Sequence, residues 1–174
     1  MKIVTKRGDN GETDLLFGKR MSKTCLRAET LGAIDELNSA LGLGRAAGLS
    51  AEVEEIVDRV QAKLVGLMGQ LATLPEDMER YEKQGFDKVG PEDIAWLDER
   101  AEDFQQREIR FDGWARPGAE GSMAKAGLDF ARAIARRAER RVWELHESGE
   151  PVPEEVRKFF NRLSDLCWLM ARAG

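Results

Sequence analysis

The segment Arg132–Arg141, RAIARRAERR, concentrates five arginines in ten residues. In a helix, steps of three and four residues stack side chains on one side. That places Arg132, Arg136, Glu139 and Arg140 on one face, with Ala131, Ile134, Ala135, Ala138, Val142 and Leu145 opposite. Guanidiniums crowded on a stripe repel each other, so an isolated helix gains nothing from them. Two readings are open for this segment. One is a solvated charged face. The other is a fork-shaped clamp for a polyphosphate, where bidentate guanidinium geometry matters. A clamp needs a second half elsewhere in the chain.

Residues 1–24 offer one candidate. Met1–Thr5 reads as a short extended segment, followed by the loop formers Gly8, Asp9, Asn10, Gly11 and Gly18. Glycines together with Thr5, Thr13 and the cations Lys6, Arg7, Lys19, Arg20 and Lys23 can aim backbone N–H groups and charge at phosphates. The segment matches neither standard glycine-rich phosphate motif. An ordinary N-terminal arm is the competing reading.

The bulk numbers bound both readings. A chain of 174 residues fits one domain, 1–174, with a core of its own. Its 42% apolar and 34% charged residues, with only 5 prolines, suit a helical fold. A net charge of −5 argues against a general nucleic-acid surface. No apolar run is long enough for a membrane span and no signal peptide is evident, so the expected setting is the cytoplasm. Cys25 and Cys167 are too few for a disulfide framework and read as reduced thiols. With His146 as the only histidine, a dedicated protein metal cluster is not expected.

Five helices must position these groups. Residues 25–47 keep helical spacing through Leu31, Ile34, Leu37 and Leu41. Asp35 sits at the edge of that stripe, where an unpaired carboxylate is costly and a cation from the Arg132 stripe would be welcome; the alternative is a water-facing flank residue. Ser50 suits an N-cap for a second helix over 51–73, with Val53, Ile56, Val57, Val60, Leu64, Leu67, Met68 and Leu71 inward. Residues 75–90 read as a polar loop. Gly90-Pro91-Glu92-Asp93 opens a third helix over 92–109, presenting Ile94, Leu97, Ala101 and Phe104. Residues 110–122 form a Gly/Pro-rich loop holding Trp114, which either caps the core or walls a flat ligand. The fourth helix spans 123–146. The fifth, 154–172, turns Phe159, Phe160, Leu163, Leu166, Cys167 and Met170 inward, leaving Asn161, Ser164, Asp165 and Trp168 on the other side. A tryptophan on a polar face implies a covering ligand or neighbouring subunit.

Five motifs now stand in order: TKRGDNGET at 5–13, GKRMSK at 18–23, DELNS at 35–39, RRAERRV at 136–142 and FNRLSD at 160–165. Together they resemble the PduO-type ATP:cob(I)alamin adenosyltransferases over nearly the whole chain. The resemblance implies an all-α five-helix bundle with ferritin-like up-down packing and an extended N-terminal arm, assembled as a homotrimer. It implies ATP, with Mg²⁺, between the arm of one subunit and the arginine helix of the next, with cobalamin alongside. By motif position, Thr5, Lys6, Arg7, Gly8, Thr13, Asp14 and Lys23 fall where the family's arm contacts ATP. Arg136, Arg137, Ala138, Glu139, Arg140 and Asn161 match its other nucleotide contacts. Asp35 and Arg132 match a salt-bridged pair at the corrinoid site, and Arg136, Asp35 and Arg132 are the expected catalytic set. The reaction so implied is attack by Co(I) on C5′ of ATP, expelling triphosphate. A reductase and a cobalamin-dependent client enzyme are the implied partners, with neither nucleic acid nor membrane involved.

The chain departs from the family pattern at three places. Arg7 stands where the family has threonine. Trp114 stands near the family's loop phenylalanine, in a loop about two residues longer before Arg132 than the family's. Trp168 replaces the second corrin-facing phenylalanine. These phenylalanines help exclude the lower axial ligand of cobalt, making four-coordinate Co(II) easier to reduce. An alternative of another class is therefore an ATP- or corrinoid-binding delivery or sensor protein of the same fold. A third is a helical bundle with an incidental arginine stripe.

Overall fold

The computed structural model describes Val4 and residues 6–109 and 113–174. The chain is mostly helical. After a hairpin of β1 (Glu12–Asp14) and β2 (Arg20–Ser22) come α1 (Leu26–Ala46), α2 (Ala51–Leu71), α3 (Met78–Lys83), α4 (Pro91–Gln105), α5 (Met123–Glu147) and α6 (Glu154–Ala173). The long helices pack side by side in the order α2, α1, α5, α6, α4.

Helix starts follow the local chemistry. Ser50 and Ser122 accept hydrogen bonds from the N–H groups of Val53 and Lys125, capping α2 and α5. Pro91 opens α4, and the Asp93 carboxylate accepts from the Gly90 N–H. The core is the sum of one apolar stripe per helix. Ile34, Leu37 and Leu41 of α1, Leu64 and Leu67 of α2, Leu97 and Phe104 of α4, Ala135 and Ala138 of α5, and Phe160, Leu163 and Leu166 of α6 are all fully buried. Small residues let α5 sit between α1 and α6. At one end of the antiparallel α1–α5 pair, a Cβ on Gly127 would lie 2.6 Å from the Gly44 Cα. At the other end, the buried Thr30 hydroxyl donates to the Arg141 carbonyl at 3.1 Å. Side chains close the group on the far side: Arg59 covers the Trp96 ring at 4.1 Å, and Arg107 pairs with Glu52, so α2 meets α4.

Three details differ from the sequence reading. The polar loop expected at 75–90 contains α3, because Tyr81 is buried and its hydroxyl bonds the carbonyls of Gly66 and Asp87 at 3.0 and 2.6 Å. One buried tyrosine among charged residues makes no readable period. The arm is not purely a loop: Thr13 pairs with Met21 and Asp14 with Arg20 in an antiparallel hairpin, which amends the all-α expectation. Ser164 faces inward, fully buried, with its hydroxyl donating to the Asn161 carbonyl at 3.0 Å. That local bond lets a hydroxyl sit in the core.

Candidate active site

The hairpin is held at one corner of the helices. The Leu16 N–H donates to the Ala72 carbonyl at 3.3 Å, and Lys19 pairs with Glu76 and Asp77 at 3.3 and 3.8 Å. Phe17, in the left-handed region at φ 58°, lies under the Arg80 guanidinium of α3 at 4.3 Å. A phenylalanine in that conformation is strained, and the Arg80 contact helps hold it. So α3, which the sequence pattern hides, buttresses the arm.

Within the arm, Arg20 organises the geometry. Its guanidinium reaches Glu12 at 3.1 Å, Asp14 at 2.9 Å and the Arg7 carbonyl at 2.9 Å. Arg7 in turn pairs with Asp14 at 3.3 Å. Lys23 Nζ donates to the Gly8 carbonyl at 2.7 Å, and a Cβ on Gly8 would meet that Nζ at 2.8 Å. Arg7, Gly8, Thr13, Asp14 and Lys23 line one concavity of about 250 Å³ with Glu12 and Arg20. Lys6 is exposed beside it at φ 61°. Thr5 lies outside the described residues. Composition counts Arg20 only as one more cation; the β1–β2 register is what makes it the organiser.

The second constellation is on α5 and α6. Arg136 and Arg140 are exposed, and among the described residues neither is in an ion pair; Arg140 Nη1 donates to the Arg136 carbonyl at 3.0 Å. Ala138 is fully buried behind them and lets α5 seat closely on the core. Asn161 Nδ2 donates to Glu139 at 3.2 Å across the α5–α6 seam. Arg162 donates to Asn161 Oδ1 at 2.8 Å and pairs with Asp98 at 2.9 Å. These bonds fix the Asn161 amide orientation. Glu139 and Asn161 share a groove of about 270 Å³ with Trp143, Arg157, Lys158 and Arg162. Arg157 covers the Trp143 ring at 5.0 Å. Trp143, Arg157 and Lys158 lie outside the sequence motifs and read as ordinary helix-surface residues, and Arg162 stands inside FNRLSD with no role assigned to it.

The other expected positions divide. Arg137 pairs with Glu36 of α1 rather than facing the groove. Asp35 is exposed, and among the described residues no ion pair joins it to Arg132. Within one chain, therefore, Asp35 pays no burial penalty and has no need of the cation the sequence pattern suggested. Arg132 is half-buried; its charge acts on the buried Cys167, whose thiol burial pushes up to about 12, against the lowering by Arg132 and with the raising by Asp129. Trp114 is 82% exposed on the loop before α5. Trp168 is half-buried on α6.

The arm concavity and the α5–α6 groove thus carry cations and an oriented amide, equipment suited to a nucleotide-phosphate site. The family described as cobalamin adenosyltransferase matches residues 3–174 of the chain. This protein belongs to that family. It is 35% identical over 176 residues to the corrinoid adenosyltransferase PduO of Citrobacter freundii, covering 99% of this chain and 50% of that protein. It is 36% identical over 172 residues to the corrinoid adenosyltransferase of Bacillus subtilis, covering 99% of this chain and 86% of that one. The chain spans about half the length of the Citrobacter freundii and Salmonella typhimurium relatives. Among solved structures, a variant PduO-type ATP:corrinoid adenosyltransferase from Lactobacillus reuteri, complexed with cobalamin and ATP, superposes with a TM-score of 0.86 at 30% identity, covering 99% of this chain and 90% of that one. A second variant of the same enzyme, complexed with ATP, gives a TM-score of 0.83 at 29% identity, covering 98% and 92%.

Proposed function

We propose that this protein transfers the 5′-deoxyadenosyl group of ATP to the cobalt of a reduced corrinoid. The Co(I) electron pair forms a bond to C5′, the C5′–O bond breaks, and its pair leaves with triphosphate. Negative charge grows on the triphosphate as that bond breaks, so groups that meet it in place accelerate the step. Arg136 and Arg140 of α5 supply such charge. Arg7, Lys6, Lys23 and the backbone around Gly8, with Thr5, Thr13 and Asp14, hold the nucleotide from the arm. Glu139 and Asn161 orient it, with Arg137 and Ala138 seating the helix that presents them. Neither a side-chain nucleophile nor a general base enters this scheme; positioning intact ATP against cobalt does the rest. Mg²⁺ arrives on the ATP phosphates. No cluster of three His, Cys, Asp or Glu able to hold a metal occurs among the described residues, and the proposal asks for none.

The observation that carries the reading is the pair of exposed guanidiniums of Arg136 and Arg140, in no ion pair among the described residues, beside the Glu139–Asn161 bond. The arm concavity is lined by arm residues alone, and the groove by α5 and α6 alone. Because these halves line separate concavities, we place the complete site between subunits, arm of one against α5 of another, in a homotrimer of five-helix bundles. The same contact would bring Asp35 to an Arg132 of a neighbour, at a corrinoid site walled by Trp114 and Trp168. The 174 residues act as one domain, 1–24 as the nucleotide arm and 25–174 as the helical part. Its setting is the cytoplasm, with a reductase supplying Co(I) and a cobalamin-dependent enzyme receiving the product; no helix among the described residues is long and apolar enough to cross a membrane. The test is an anaerobic assay with ATP and chemically reduced cobalamin. The expected result is a light-sensitive Co–C product and stoichiometric triphosphate. Binding of both ligands without that product would instead identify a delivery or sensor protein.

A further inference from the structure

A cavity of about 450 Å³ lies between the loop at 113–122 and the adjoining ends of α5 and α6. Asp129 and Arg172 line it and are joined by an ion pair of 2.8 Å, with side chains only 7% and 8% exposed. The same guanidinium makes two further contacts. Its Nη2 donates to the Ala115 carbonyl at 3.4 Å, and its Cζ lies 5.3 Å from the centre of the Trp168 ring. Ala115 follows Trp114 directly. Among the described residues, this is the hydrogen bond that ties residues 113–116 to a helix. Trp114 is 82% exposed, so the position of the backbone that carries it decides where its ring can reach.

We infer that Arg172 is a positioning residue for the corrinoid, setting Trp114 and Trp168 against each other from one buried charge anchored by Asp129. The inference rests on the functional reading above, which puts both tryptophans at the corrinoid. The chemistry requires arginine. A planar guanidinium offers its face to a ring while its edge donates to two oxygens in different directions. A lysine ammonium is a point charge that can neutralise Asp129 but cannot span the carboxylate, the carbonyl and the ring together. Burial makes the anchor firm, because a lone Asp129 carboxylate in that floor would be costly.

The test compares wild type with Arg172→Lys, which keeps the charge and loses the fork. In the wild type, cob(II)alamin with ATP is expected to show the optical signature of the four-coordinate form, and the variant should lose most of it. The corrinoid KM should rise at least tenfold in the variant while the ATP KM stays within twofold. Without any ligand, amide hydrogen exchange in 113–122 should become faster. Corrinoid KM, spectrum and exchange all matching wild type would overturn the assignment, as would parallel changes in both KM values. Should Arg172→Lys not fold, the charge-free pair Asp129→Asn with Arg172→Gln carries the same expectations; if neither folds, the cluster is structural and the assignment falls. A wild type with no transferase activity at all would sink the functional reading instead, which the ligand-free exchange result distinguishes.

Discussion

Replacing Arg136 by alanine separates the clamp reading from the solvated-face reading most cleanly. The side chain is exposed and, among the described residues, holds no ion pair, so its removal opens no cavity and strands no buried charge. Surface changes of this kind stay within about 0.5 kcal/mol of stability. At about 2–4 °C per kcal/mol for a chain of this size, Tm should move by no more than about 2 °C. The catalytic effect should be far larger. A guanidinium about 4 Å from a developing unit charge is worth about 4 kcal/mol at an effective dielectric near 20. Loss of one preorganised donor of this type costs about 10²–10³ in kcat. The expected outcome is therefore a kcat drop of about two to three orders of magnitude with Tm unchanged, read anaerobically with ATP and cob(I)alamin. Arg136→Lys should recover part of the loss, because it restores charge without the fork. Turnover in Arg136→Ala within about threefold of wild type, with the fold intact, would refute the clamp.

Two further predictions concern the scaffold of the site. Arg20→Ala removes the contacts to Glu12, Asp14 and the Arg7 carbonyl; ATP affinity by calorimetry should weaken about tenfold, roughly 1.4 kcal/mol, while the corrinoid KM holds, and unchanged ATP affinity would count against the arm's role. Gly127→Ala puts a methyl 2.6 Å from the Gly44 Cα and 2.9 Å from its N, backbone atoms that cannot yield alone. Overpacking of about 1–3 kcal/mol should lower Tm by roughly 2–12 °C. The reciprocal Gly44→Ala, whose nearest neighbour is 3.4 Å away, should be nearly neutral in thermal unfolding; equal losses for the two would contradict this helix crossing.

The amino-acid sequence by itself determined the helical periods and their start signals. Ser50 and Pro91 stand where α2 and α4 begin, and the inward stripes of α1, α2 and α6 were readable because burial repeats every three to four residues. It also determined the charge stripe of α5, since arginines at such spacing can only share a face once the helix exists. What it left undecided is what each charged group meets. Arg137 is drawn to Glu36, 101 positions away, Arg172 to Asp129, 43 away, and Arg20 closes on Asp14 only through hairpin register. Those partnerships depend on which helices become neighbours, a property of the packed chain rather than of any local pattern. Asp35 shows the converse: its place at the edge of an apolar stripe suggested a burial cost, yet in the packed chain it faces water. Tertiary structure alone decided which polar groups are buried, because burial is set by several elements at once whereas periodicity describes one at a time.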